Sequence, residues 1–397
     1  MFVRHISDTV LSAAGQNPVV TIMGPRQSGK TTLCRALFPD HDYRSLEAPD
    51  VRLQALEDPR GFLASANPMI IDEVQRAPDL LSYIQVLVDE DCRPGRFILT
   101  GSQNLLLMES VSQTLAGRVA LLNLLPLSIA ELLAREPFDP AKALRSAPDA
   151  SLAANVNRWD TLFAGFYPRI HDRGLSPREW LGDYFRTYVE RDLREVMQVS
   201  DLRAFEDFVR LAAASTAREL NLSRLASDVG VGQQTARRWL NALEISYLAV
   251  TLPPHFANFR KRLRKRPRLH FLDTGLICYL LDIPDAETLA RHPLRGAIFE
   301  SFVASELFKS FANRRKKAPL YTWRDTSGHE IDILIDLGQR LIPVEVKSGE
   351  TVAPDAMRNL AWWAALPGNP NQHGFLVHGG TRSFRHKNFA VLPWRLS

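Results

Sequence analysis

Val19-Val20-Thr21-Ile22-Met23-Gly24-Pro25-Arg26-Gln27-Ser28-Gly29-Lys30-Thr31-Thr32 decides the fold of the first part of this chain. An apolar run of strand length enters G-x-x-x-x-G-K-T, and a helical pattern continues from Thr32 to Leu37. Glycines let backbone N–H groups close around phosphate oxygens, and the following helix N-terminus turns its positive end toward them. Lys30 supplies charge and Thr31 a hydroxyl for magnesium. The expected cradle for a nucleoside triphosphate is therefore Gly24, Pro25, Arg26, Gln27, Ser28, Gly29, Lys30, Thr31 and Thr32.

At 397 residues, 45% hydrophobic and 23% charged, the chain suits several globular domains and not a disordered tract. Its net charge is only +5, yet residues 260–268 hold seven basic side chains, more than the whole surplus. That run is either a solvated strand edge or a patch for phosphates. Cys34, Cys92 and Cys278 lie far apart without a C-x-x-C spacing, which argues against a disulfide framework or zinc knuckle and fits a reducing cytoplasm. Residues 1–5 begin no signal-type stretch. The richest apolar segment, 119–133, is broken by Asn123, Pro126, Ser128 and Glu131, so no membrane span is expected.

Residues 68–75, Pro-Met-Ile-Ile-Asp-Glu-Val-Gln, read as a buried strand ending in two carboxylates. Asp72 would hold magnesium through water, and Glu73 would orient and deprotonate the attacking water. A further strand, 96–100, leads into Gly101-Ser102-Gln103-Asn104, where Ser102 would face the γ-phosphate at the carboxyl edge of an open sheet. Arg118 follows a turn and is either an arginine finger acting in trans or a helix cap.

This order of elements resembles the AAA-type P-loop ATPases, and more closely the bacterial and archaeal family in which that module precedes a C-terminal DUF4143 region. Residues 24–31, Leu46-Glu47-Ala48-Pro49-Asp50, Ile71-Asp72-Glu73-Val74-Gln75, Leu99-Thr100-Gly101-Ser102, Leu115-Ala116-Gly117-Arg118 and Gly165-Phe166-Tyr167-Pro168 carry the resemblance, which spans nearly the whole chain. It implies ATP with Mg2+ clamped between the sheet domain and a helical lid, with Pro168 packing near adenine. Members of the wider class often assemble as homo-oligomeric rings, in which Arg118 would reach a neighbour's γ-phosphate.

Residues 222–240 show the two-helix spacing of a helix-turn-helix. Gly230 permits the turn, Ala226 lets the helices approach, and Leu225, Val229, Val231, Ala236 and Trp239 would pack inside. Gln233, Gln234, Thr235, Arg237 and Arg238 would then face outward, as residues suited to phosphates and base edges. A strand over 246–252, a Pro253-Pro254 turn and a basic strand ending at 269–271 read as a wing carrying Arg260, Lys261, Arg262, Arg264, Lys265 and Arg266. Duplex or branched DNA is the expected partner, held through its backbone; the alternative is a structural lid or protein contact. Asp273 reads as a helix cap.

Beyond Arg295 the pattern is a helix over 298–307 and strands over 319–324, 330–335 and 341–347. Residues two apart on a strand share a face, so Glu345 and Lys347 point together while Val344 and Val346 enter the core. Asp332 on the neighbouring strand can converge with them to bind magnesium and activate water. This resembles the PD-(D/E)XK nucleases, which implies that Glu300, as their helical acid, binds metal with Asp332 and Glu345, and that Lys347 is the catalytic amine. Glu306, farther along the helix, reads as a solvated charge.

The expected architecture is α/β: an AAA-type P-loop NTPase core with a parallel sheet (1–135), a helical lid (136–200), a winged helix (201–285) and a restriction-endonuclease-like α/β domain (286–397). The expected function is ATP hydrolysis coupled to DNA binding or remodelling. An ATP-regulated, metal-dependent nuclease and a nucleotide switch for a protein partner are the alternatives.

Overall fold

Five strands, β1 (Val19–Gly24), β2 (Asp42–Ser45), β3 (Met69–Asp72), β4 (Phe97–Ser102) and β5 (Val119–Asn123), pair in parallel in the order β2-β3-β4-β1-β5. Such a sheet is covered on both faces, which is why every residue of β1 and β3 is buried and most are apolar. Successive residues serve opposite cores. Val19, Met69, Ile71 and Leu99 join Phe62, Leu81 and Ile84 on one side, while Val20, Ile22, Ile70 and Ile98 join Val10 and Leu33 on the other. The computed structural model describes residues 2–102, 114–144, 156–189, 201–255, 266–325, 327–366, 369 and 372–396. They divide into two compact units, one comprising Met1–Pro126, Ile245–Tyr247 and Phe311–Lys316, the other Leu127–Glu244, Leu248–Ser310 and Lys317–Ser397.

In the second unit, after Ile129–Leu132 and Pro140–Ala143, three short helices follow closely, Arg158–Ala164, Pro168–Arg173 and Pro177–Tyr184. Gly165, at φ 72°, ends the first because a Cβ there would lie 2.4 Å from the Asp273 carboxylate. That carboxylate accepts the Phe166 N–H at 2.7 Å and caps the Thr274–Leu280 helix through Leu276 N–H at 2.8 Å. Asp273 is thus a structural splice, as its position before a helix suggested.

Next come the Leu202–Ala214 helix, β6 (Arg218–Glu219), the Leu222–Asp228 and Gln233–Ile245 helices, β7 (Ala249–Leu252) and β8 (Arg268–Phe271). The strands form an antiparallel sheet in the order β6-β8-β7. Trp239 packs edge-on against Phe205 and Phe208, each with a centroid distance of 5.4 Å, which anchors the second helix of the pair. Gly230 makes the turn at φ 72°.

β9 (Leu320–Arg324), β10 (Glu330–Asp336), β11 (Leu341–Lys347), β12 (Gly374–His378), β13 (Phe384–His386) and β14 (Phe389–Pro393) form a mixed sheet in the order β13-β14-β12-β11-β10-β9. One core under it joins Ile331, Leu334, Leu376 and Val391 to Leu360 and Trp363 of the Arg358–Ala364 helix. Among the described residues no helix is long and apolar enough to cross a membrane.

Glu306 departs from its reading as a solvated charge. The Arg295–Ala312 helix is enclosed along most of its length, and Glu306 is 4% exposed, ion-paired to Lys309 at 3.0 Å and accepting the Ile129 N–H at 2.9 Å. A buried carboxylate persists only with such partners.

Candidate functional site

The carboxyl ends of β1, β3 and β4 share one edge of the parallel sheet, and Gly24 pairs in register with Ser102. That edge carries the phosphate loop. A Cβ on Gly24 would stand 2.1 Å from the Leu124 carbonyl oxygen, so only glycine allows β1 to leave the sheet there. Gln27 and Gly29 take positive φ, 62° and 94°, and curl the backbone before the Lys30–Leu37 helix. Lys30 is buried, its ammonium donating to the Gly24 and Pro25 carbonyls at 3.0 Å each. Burial lowers its pKa, with Glu73 and Asp72 pulling the other way. Ser28 is 0% exposed and its hydroxyl has no hydrogen-bond partner among the described residues. A buried ammonium and an orphaned hydroxyl inside a ring of backbone amides suit a triphosphate.

Asp72 accepts three hydroxyls, from Thr31 (3.0 Å), Tyr43 (2.8 Å) and Thr100. Thr31 and Asp72, the two residues expected at magnesium, are thus in direct hydrogen-bond contact. Glu73, in the left-handed region at φ 58°, accepts a hydrogen bond from the Gln75 side chain. Sequence reasoning missed Tyr43, whose phenol is pushed up to about 12 by burial and by its bond to Asp72. It also missed Arg4, buried with Nη1 on the Ser28 carbonyl at 2.8 Å and Nη2 on the Leu125 carbonyl at 2.6 Å. Nothing in the local pattern around Arg4 marks it, because its partners lie 24 and 121 residues away.

Arg118 stands elsewhere. It precedes β5, where Val119 pairs with Val19, so it lies at the sheet edge opposite the loop, engaging Asp89 through Nε and Nη2 while Nη1 donates to the Ala116 carbonyl. Pro168 occupies the first turn of the Pro168–Arg173 helix in the second unit.

In that unit, Gln233, Gln234, Arg237 and Arg238 are exposed along the Gln233–Ile245 helix, and Thr235 is half-buried. Leu225, Ala226, Ala236 and Trp239 are buried, with Val229 and Val231 partly so. Arg260, Lys261, Arg262, Arg264 and Lys265 lie outside the described residues, as do Gln103 and Asn104; Arg266 is exposed.

The C-terminal acids do gather. Glu300, Asp332, Glu345 and Lys347 line a cleft of about 570 Å³ together with Ser348 and Asn359. Asp332 accepts the Val346 N–H at 2.9 Å, and Lys347 reaches Glu345 at 3.1 Å. Burial, then the Asp332 charge, pushes the Glu300 and Glu345 carboxyls up. Burial pulls on the Lys347 ammonium, but Asp332 and Glu345 more than offset it and raise its pKa. Burial beside a neighbouring carboxylate is what disfavours ionisation at Glu300 and Glu345. Arg268 is the correction here. Counted with the basic run, it is in fact 7% exposed and bound to Glu300 at 2.7 Å and to Glu330.

A parallel sheet whose first strand feeds a phosphate loop and whose third ends in Asp72-Glu73 defines a P-loop ATPase. Models of known families match in three stretches: an AAA domain over residues 16–133, a domain of unknown function, DUF8612, over 157–287, and another, DUF4143, over 295–396. Uncharacterized proteins of Mycobacterium bovis and Mycobacterium tuberculosis are each 33% identical over 371 residues, covering 90% of this chain and 76% of theirs. The chain belongs to the family of AAA-type P-loop ATPases with a C-terminal DUF4143 region. Among solved structures, a Walker-type ATPase of Pyrococcus abyssi shares 15% identity at a TM-score of 0.39, covering 70% of this chain and 96% of its own. DnaA of Aquifex aeolicus bound to AMPPCP shares 13% at 0.29, covering 60% and 85%. At such scores no common arrangement is defined.

Proposed function

We propose that this ATPase couples ATP turnover to binding or remodelling of DNA, as a cytoplasmic homo-oligomer. One observation carries the DNA reading: Gln233, Gln234, Arg237 and Arg238 form an exposed polar row on the second helix of a helix pair, beside a three-stranded sheet. Three helices and three strands in this chain order suit a winged helix, whose second helix of the pair enters a groove.

In the ATPase centre, Lys30 would neutralise the β- and γ-phosphates, and backbone amides at 27–31 would orient them. Thr31 and Asp72 would hold Mg2+, which supplies charge neutralisation when bound. Glu73 would take the proton of the attacking water once it leaves Gln75. Arg118, remote from its own loop, would serve a neighbouring subunit.

A metal-dependent nuclease is the second reading, favoured by the cleft where Asp332, Glu345 and Lys347 meet. There Asp332 and Glu345 would hold the cation and Lys347 would steady the developing charge.

Anisotropy of labelled duplex DNA across a salt series tests the first reading. Arg237→Ala/Arg238→Ala should weaken binding and lower the salt slope by about 2, roughly one per arginine. No binding to wild type at low salt would leave the nucleotide switch for a protein partner in its place. Nicking that vanishes in Asp332→Ala but survives Glu73→Ala would establish the second.

A further inference from the structure

Strand β8 sets a cation against two acids of the C-terminal cleft, Glu300 and Asp332. Arg268 Nη1 lies 2.7 Å from Glu300 and 4.0 Å from Asp332, and Nη2 engages Glu330. Glu330 and Asp332 sit two apart on β10, Glu345 and Lys347 two apart on β11, and Glu300 comes from the Arg295–Ala312 helix. Four carboxylates thus meet two fixed cations, Arg268 and Lys347.

A guanidinium does not lose its proton in proteins, and its fork holds carboxylates apart, one to each arm. A divalent cation does the opposite and draws several oxygens to one point. Among the described residues no three acid, histidine or cysteine side chains converge on such a point. Arg268 is buried, so its partners cannot trade it for water without cost.

We propose that Arg268 is a built-in counter-cation that occupies the carboxylate cluster and competes with a divalent cation for it, setting the cleft's metal affinity from the wing strand. The inference rests on Asp332 and Glu345 being cation ligands. It adds a regulatory residue from outside the DUF4143 segment, and it ties the cleft to the sheet formed by β6, β8 and β7.

The test titrates Mn2+ into the full chain and follows free Mn2+ by electron paramagnetic resonance. Wild type, Arg268→Lys and Arg268→Met are compared, each with and without Asp332→Asn. Removing a unit charge a few ångströms from the ion should tighten binding at least tenfold in Arg268→Met. Arg268→Lys, which keeps the charge but cannot span Glu300 and Glu330, should fall between, and Asp332→Asn should abolish the gain. Equal affinities in all three, still weakened by Asp332→Asn, would overturn the role of Arg268 and leave the cation site standing. No Mn2+ binding that depends on Asp332 would overturn both. Circular dichroism checks folding, and if Arg268→Met fails it, Arg268→Lys against wild type decides.

Discussion

Lys309→Met isolates one buried charge and reports on the second unit. Lys309 is 1% exposed, and its ammonium donates to Glu306 at 3.0 Å and to the Leu127 carbonyl at 2.8 Å while lying 4.3 Å over the Phe166 ring. Methionine keeps the apolar stem but leaves the Glu306 carboxylate buried with the Ile129 N–H and no cation, at a cost of about 3–5 kcal/mol. Lys309→Met/Glu306→Gln removes the stranded charge and retains an acceptor for Ile129, so its cost should shrink to about 1–2 kcal/mol, mainly the unpaired Leu127 carbonyl. All seven tryptophans belong to the second unit, so tryptophan fluorescence in urea follows that unit alone. A single variant within about 1 kcal/mol of wild type, or a double variant no more stable than the single, would refute the buried-pair reasoning.

Gly24→Ala should abolish binding of a fluorescent ATP analogue, because the added methyl collides with Leu124 and φ of 152° disfavours any side chain. Unaltered affinity would contradict the loop geometry. Arg118→Ala should leave nucleotide affinity intact yet lower kcat by about 10³ in the assembled protein, as expected of a finger supplied in trans. An unchanged kcat would assign Arg118 to its Asp89 pair alone.

Contiguous signals made the ATPase centre legible. Gly24 to Thr31 and Asp72-Glu73 need only local spacing and a preceding apolar strand, and the parallel sheet brings both to one edge. The Asp332, Glu345 and Lys347 pattern was readable for the same reason, since the two-residue strand period fixes shared faces. Arg268 was hidden because its partners Glu300 and Glu330 are 32 and 62 residues away, and the neighbouring basic residues disguise it. Glu306 was misread because exposure depends on what wraps the helix, and Ile129, 177 residues from Glu306, and Leu127, 182 residues from Lys309, do so. β6, only two residues long, carries too few side chains to announce a strand.

Coupling between ATP turnover and DNA is tested most directly by the steady-state ATPase rate of wild type and Glu73→Ala, with and without duplex DNA at low salt. Stimulation by DNA in wild type and its loss in Glu73→Ala is the predicted result. A wild-type rate indifferent to DNA would contradict the coupling.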